Sequence, residues 1–183
     1  MTTQTRTGIS TWAIDPTHSI AEFAVKHLVV TTVKGRFRDF EGTLHIDEAR
    51  PENSSVSASI DVASVDTSVP DRDADLRSDN FFNAEKFPKI TFRSTRVERV
   101  DDANYKVYGD LTIRDVTKPV VLDTKSEGLV DDPWGGHRAA FTATTQISRM
   151  EFGVRWNQLI ESGGAVVSDN VKITLLIEAV RQG

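Results

Sequence analysis

A chain of 183 residues is the size of one domain, able to bury roughly 70% of the surface its unfolded form exposes. With 38% hydrophobic and 27% charged residues it is too apolar for a disordered segment, and its net charge of -5 excludes the basic face that nucleic-acid binding requires. The absence of cysteine removes disulfides, thiolate metal sites and a cysteine nucleophile.

In chain order, residues 1–11 are expected to form a flexible N-terminal segment and residues 12–181 a single β domain. No secretory apolar core is present in Met1 to Asp15. The longest apolar stretches, such as Leu28 to Val30, are too short to span a bilayer. A cytoplasmic location without stable membrane insertion is the expectation.

Ala21, Phe23, Val25 and His27 alternate with Glu22, Ala24 and Lys26, the period of a half-buried strand. Lys34, Arg36 and Arg38 read as a solvated strand face, since Asp39 and Glu41 follow at once. Further strands are expected at Phe40–Ile46, Val56–Val62, Ile90–Ser94, Tyr105–Arg114, Val120–Thr124, Ala139–Ile147 and Val171–Glu178. Turn chemistry separates them, as in Asp101-Asp102-Ala103-Asn104 and Asp131-Asp132-Pro133-Trp134-Gly135-Gly136. Two short helices are expected, Pro70–Ser78 with an acidic start and Val154–Ile160. About eight strands without crossover helices give an all-β, mainly antiparallel barrel or sandwich. The inward positions mix Phe with Ala, Gly and Ser, which favours a barrel wide enough for one small ligand. Gly35, Gly42 and Gly109, inside strand patterns, are expected to mark bends or bulges that close the sheet.

Several stretches, in this order along the chain, carry a family resemblance. Trp12-Ala13-Ile14-Asp15 leads into His18-Ser19, then Phe23-Ala24-Val25-Lys26-His27-Leu28, Val33-Lys34-Gly35-Arg36-Phe37 and Phe40-Glu41-Gly42. Leu76-Arg77-Ser78-Asp79-Asn80-Phe81-Phe82 with Phe87-Pro88-Lys89-Ile90-Thr91-Phe92 is the most distinctive. Gly109-Asp110-Leu111-Thr112-Ile113-Arg114, Val116-Thr117-Lys118-Pro119-Val120, Ile147-Ser148-Arg149 and Phe152-Gly153-Val154 complete the series. The chain resembles the YceI-like family of lipocalin-type, polyisoprenoid-binding proteins. It departs from the family at Asp115, where Gly is usual, and many relatives carry a secretion signal.

The resemblance implies an extended eight-stranded antiparallel, lipocalin-like barrel with a long apolar channel, and no fixed catalytic residue, metal or cofactor. The implied ligand is a polyisoprenoid, an isoprenoid quinone or its precursor, or another long amphiphile. Candidate channel residues are Phe23, Val25, His27, Phe37, Phe81, Phe82, Phe92, Leu111, Ile113, Phe141, Phe152, Trp156, Ile173 and Leu175. Taken singly, each Phe among them reads first as ordinary core, and it is the set that the resemblance assigns to a channel.

His27 reads either as a head-group partner or as a core histidine satisfied by backbone. His18 and His137 read as turn or loop residues and His45 as exposed. No His-x-His or His-Glu-x-x-His motif occurs. Asp71, Asp73 and Asp75 imitate a calcium loop, but Leu76 and Phe82 occupy its glycine and glutamate positions, so a solvated helix start is expected. Arg149 beside Glu151, and Arg155 beside Trp156, read as surface ion pairs or a charged rim able to attract a phosphate. The leading expectation is a carrier, store or sequestering protein for a lipophilic small molecule, without catalysis. The alternatives are a lipocalin-fold hydrolase or isomerase acting through His27 and a carboxylate, and a filled barrel that binds another protein. A homodimer is left open.

Overall fold

The computed structural model describes residues 8–157 and 166–183. The strands in chain order are β1 (Ile9–Ile14), β2 (Ile20–His27), β3 (Thr31–Phe37), β4 (Phe40–Asp47), β5 (Ser55–Asp61), β6 (Val65–Asp66), β7 (Lys89–Arg99), β8 (Asn104–Ile113), β9 (Val116–Asp131), β10 (His137–Ser148) and β11 (Val167–Gln182). One α-helix, α1 (Pro70–Arg77), lies between β6 and β7. Among the described residues, no helix is long and apolar enough to cross a membrane.

Eight of the strands close on themselves in the order β1-β4-β5-β7-β8-β9-β10-β11, with β11 returning to β1, and every pairing is antiparallel. β2, β3 and β6 form a wing on the same edge of β11 that β1 occupies: Ile14 faces Ala179 while Ile20 faces Leu176. Ser19 makes this switch possible. Its hydroxyl donates to the Glu178 carbonyl and accepts from the Glu178 N–H, so both backbone groups stay bonded where the chain leaves the barrel.

Seven of the eight strands expected from periodicity are barrel strands. The eighth, β2, lies in the wing, and its barrel place is taken by β1. Within the segment expected to be flexible, Ile9, Ser10 and Thr11 are instead strand residues paired with Asp47, Ile46 and His45, and residues 1–7 lie outside the described residues. Of the expected second helix, Val154 to Asn157 carry no helix. The helical turn comes earlier, at Met150–Phe152, and ends at Gly153, whose φ of 81° suits glycine. Residues 158–160 lie outside the described residues.

The bulges are not where the strand glycines suggested. Register shifts fall at Ser94/Arg96, Ala140/Phe141 and Val167/Val171. The first lies on β7 across from Gly109, and none falls at Gly35 or Gly42. Gly35 and Gly109 serve instead as floors for aromatic rings: a Cβ would lie 2.4 Å from Phe23 Cζ at Gly35 and 2.4 Å from Phe92 Cζ at Gly109. A ring laid over a cross-strand glycine fills the space its missing side chain leaves.

α1 starts with Pro70 and carries Asp71 and Asp73 in its first turn and Arg77 in its last, in keeping with the helix dipole. Asp73 is not solvated as expected. It is buried, and its Oδ1 accepts from the Thr67 N–H at 2.8 Å and the Thr67 hydroxyl at 2.5 Å, tying α1 to the end of β6. Leu76 then packs on the main core, where Phe37, Val62, Phe81, Ile113, Phe152 and Val154 meet. This core seals one end of the barrel. Near the other end, Trp12 fills the interior beside Ala139 and Ala179.

Candidate functional site

Between these two packed regions the inward faces of the strands enclose a cavity of about 540 Å³. The alternation sets its wall. On β11, Val171, Ile173, Leu175 and Ile177 face inward, and on β10 Phe141, Ala143, Thr145 and Ile147 do so. The wall mixes sizes: small Ala58 is paired with bulky Phe92 on the neighbouring strand, and small Ala143 follows Phe141 by two residues on β10, leaving space that side chains do not fill.

The two ends differ. At one, the lining residues Phe81, Ile113, Ile147, Arg149 and Val154 are all buried, so among the described residues this end is blind. At the other, the lining residues His45, Glu48, Ser55 and Leu129 are exposed, so the cavity opens there. We call this opening the mouth. Asp47 sits at it with its carboxylate fixed by the Asn53 amide and the N–H groups of Ala49 and Arg50. These bonds, the Asn53 one foremost, hold it below the usual carboxylate range and therefore charged.

Eleven of the fourteen channel candidates line this cavity: Phe23, Val25, Phe37, Phe81, Phe82, Phe92, Leu111, Ile113, Phe141, Ile173 and Leu175. Phe23, Phe37 and Phe82 form a ladder, with centroids 5.6 and 5.8 Å apart. Three candidates do not line it. Phe152 is 1% exposed within the core, and Trp156 stacks at 5.5 Å behind Phe81. His27 is on the inward phase of β2 but at its last residue, beside the exposed hairpin tip of Leu28 to Val30. Among the described residues its ring makes no hydrogen bond or ion pair.

Arg149 is the functional candidate that the sequence reading misplaced. It is not a surface residue paired with Glu151: it is 5% exposed and lines the blind end. Its guanidinium donates only to backbone carbonyls, Nε to Ser168 at 2.8 Å, Nη1 to Val154 at 2.8 Å and Trp156 at 2.9 Å, and Nη2 to Val167 at 3.1 Å. Burial lowers its pKa, opposed by the field of Asp169. Arg155, in contrast, is exposed as expected. The signal for Arg149 was the Ile147-Ser148-Arg149 stretch itself, a cation following directly on an inward-facing strand run.

The histidines at turns behave as read. His18 is exposed and bonds Asp15 at 2.8 Å, while His137 pairs with Asp131. Asp15, His18 and Glu178 bring three potential ligand atoms within 4.8 Å of one another. Arg138 Nη1 already donates to both carboxylates, at 3.1 and 2.6 Å, so the cluster is an ion-pair hub and fits a metal poorly. The His18 hydrogen bond, with a further contribution from Arg138, lowers the Asp15 pKa to about 2.

The family described as YceI-like domain matches residues 12–179, which take in the whole barrel wall up to Ala179 and the cavity it encloses. The chain belongs to the YceI-like family. Among its relatives, it is 41% identical over 165 residues to a UPF0312 protein of Pectobacterium atrosepticum, covering 90% of this chain and 82% of that one. Among solved structures, it is similar to a YCEI protein of Campylobacter jejuni at 31% identity and a TM-score of 0.76, covering 86% of this chain and 90% of the other. A polyisoprenoid binding domain from Saccharophagus degradans, at 16% identity, shares the fold with a TM-score of 0.71 over 96% of this chain and all of its own.

Proposed function

We propose that this YceI-like protein holds a lipophilic, isoprenoid-like molecule in its barrel as a carrier, store or sequestering protein, without covalent chemistry. The ligand class is a polyisoprenoid, an isoprenoid quinone or its precursor, or another long amphiphile. The observation that carries the reading is the continuous apolar cavity of about 540 Å³, blind at one end and open at the other. That volume lies within the range of small-molecule sites, and apolar contact at about 25 cal/mol per Å² holds a hydrocarbon chain without a charged anchor. The name of the Saccharophagus degradans neighbour points the same way. An enzyme acting through His27 has no observation in its favour, since His27 is not in the cavity wall and no carboxylate contacts it among the described residues.

Native mass spectrometry of freshly purified protein, followed by organic extraction, tests the proposal. A co-purified lipophile, or uptake of an isoprenoid quinone by stripped protein, is the expected result. Recovery of nothing together with no uptake overturns it. Phe92→Asn and Phe82→Asn are expected to weaken uptake at least tenfold while the barrel stays folded, and unchanged uptake would make both residues merely structural.

A further inference from the structure

Within the ligand class proposed above, the structure also points to which way round the ligand lies. We infer that the blind end of the cavity is a subsite for the carboxylate of a long-chain acid, received by Arg149, so that the head lies inward and the tail runs to the mouth. The inference rests on the binding reading and narrows it.

Four of the five guanidinium N–H groups of Arg149 are used, each on a neutral carbonyl. The remaining N–H, on Nη2, has no acceptor among the described residues. No carboxylate forms an ion pair with this guanidinium among them either. Asp169 acts on it only through its field, because its two oxygens accept from the Ser148 hydroxyl and the Met150 N–H. A cation taken out of water and met only by carbonyl dipoles is under-compensated, and an anion brought to it gains more than it would in solvent. Arg149 is the cation in the cavity wall; the other ionic residues there are Glu22, Asp47 and Glu48, the last two at the mouth.

The lumen is thus an apolar tube with opposite charges at its ends. From Val167 to Ile177 the lining of β11 spans about 33 Å along the strand, or about 25 Å along a barrel axis tilted as usual. An anionic head at the mouth would sit against Asp47 and Glu48. At the blind end it meets Arg149. A carboxylic acid can make the passage in its neutral, protonated form, whereas a phosphate monoester near neutral pH would cross the apolar wall as an anion at far greater cost. The head group that fits is therefore a carboxylate.

Isothermal titration with palmitate, cetyl alcohol and cetylamine tests this on the unmodified protein. Palmitate is expected to bind at least tenfold tighter than the alcohol, and the amine no tighter than the alcohol. In NMR with carbon-labelled palmitate, a soluble paramagnetic agent is expected to leave the carboxyl resonance sharp and broaden the terminal methyl. Equal affinities of acid and alcohol, or a broadened carboxyl with a protected methyl, overturn the inference while leaving the binding reading intact. Binding of none of the three overturns the inference, and the binding reading is then decided separately by the isoprenoid quinone uptake above. In Arg149→Met the preference for the acid over the alcohol is expected to vanish, and a preference that persists in the folded variant overturns the inference. Where that variant does not fold, Arg149→Lys is the comparison, with a reduced preference expected and an unchanged one counting against the fork-shaped guanidinium.

Discussion

Replacing Gly109 by alanine is expected to destabilise the barrel by about 3 kcal/mol, and the structure says why the cost falls at the top of the usual overpacking range. The new Cβ would lie 2.4 Å from Phe92 Cζ, 2.6 Å from Phe92 Cε2 and 2.6 Å from the Arg93 carbonyl oxygen. The ring can turn away, but only into the cavity it lines. The carbonyl belongs to the β7 ladder and cannot move without breaking it. For a domain of this size, about 3 kcal/mol corresponds to a fall in Tm of about 6–12 °C. Gly35 is the control: its Cβ would meet the Phe23 ring at 2.4 and 2.9 Å and Thr67 Cγ2 at 2.8 Å, with no backbone atom among its three nearest contacts. Phe23→Leu should therefore largely rescue Gly35→Ala, while Phe92→Leu should rescue Gly109→Ala only in part. Urea unfolding of both single and both double variants gives the comparison. A Gly109→Ala variant within about 0.5 kcal/mol of the parent, or complete rescue by Phe92→Leu, would refute the close-approach argument.

Three further outcomes follow from the ion-pair hub, the hairpin and the buried Asp73. The Asp15 pKa falls from an ordinary 3.8 to about 2 in the folded protein. Its stabilisation, at most about 2 kcal/mol, is therefore fully present above pH 4 and lost as pH drops towards 2. Asp15→Asn should flatten acid unfolding in that window, and an unchanged acid limb would remove Asp15 from the account. At the β2–β3 hairpin, Leu28 and Val29 hold φ of 51° and 65° while exposed, a conformation that costs bulky residues about 1–2 kcal/mol each. Replacing the pair by Asn-Gly should raise stability by about 1 kcal/mol after the entropy of glycine is counted, and a lower urea midpoint would show that the tip has a packing role. Asp73→Ala should cost about 1–3 kcal/mol, since it leaves the buried Thr67 N–H and hydroxyl without their acceptor, and a neutral result would mean that water replaces it.

Periodicity carried most of the wall and little of its ends. The alternation of Val171, Ile173, Leu175 and Ile177 identifies β11 and its inward face, yet β9 reads as five residues where it spans sixteen. Past Thr124 its inward residues turn polar with Ser126, and the apolar beat fades although pairing with β10 continues to Asp131. The phase of His27 is legible but its depth is not, because alternation assigns a face and says nothing of how far along a strand the cavity reaches. Arg149 was misread for a nonlocal reason. Its carbonyl partners come from residues 154–168, and nothing beside it in sequence announces that they converge. The glycines misled because a bulge and a ring floor both call for a missing side chain, and only the cross-strand register distinguishes Gly109 opposite Ser94 from a bulge of its own.

The cavity also bears on stability. Leaving space in a core costs about 24 cal/mol per Å³, so an empty volume of about 540 Å³ forgoes on the order of 13 kcal/mol against a filled barrel. That is as large as the whole stability of a typical domain. A lumen of this size is therefore not a packing defect that a few larger side chains happened not to fill; Ala58 and Ala143 are among the small residues of its wall. A chain that occupies it restores much of the missing contact, and because it binds the folded state alone, occupancy at a hundredfold over Kd adds about 2.7 kcal/mol. The protein should accordingly melt several degrees higher when loaded, whereas Ala143→Leu should raise the Tm of the stripped protein and abolish the ligand-dependent rise. If Ala143→Leu leaves both unchanged, the lumen is already filled or collapsed in solution, and the open-cavity account fails.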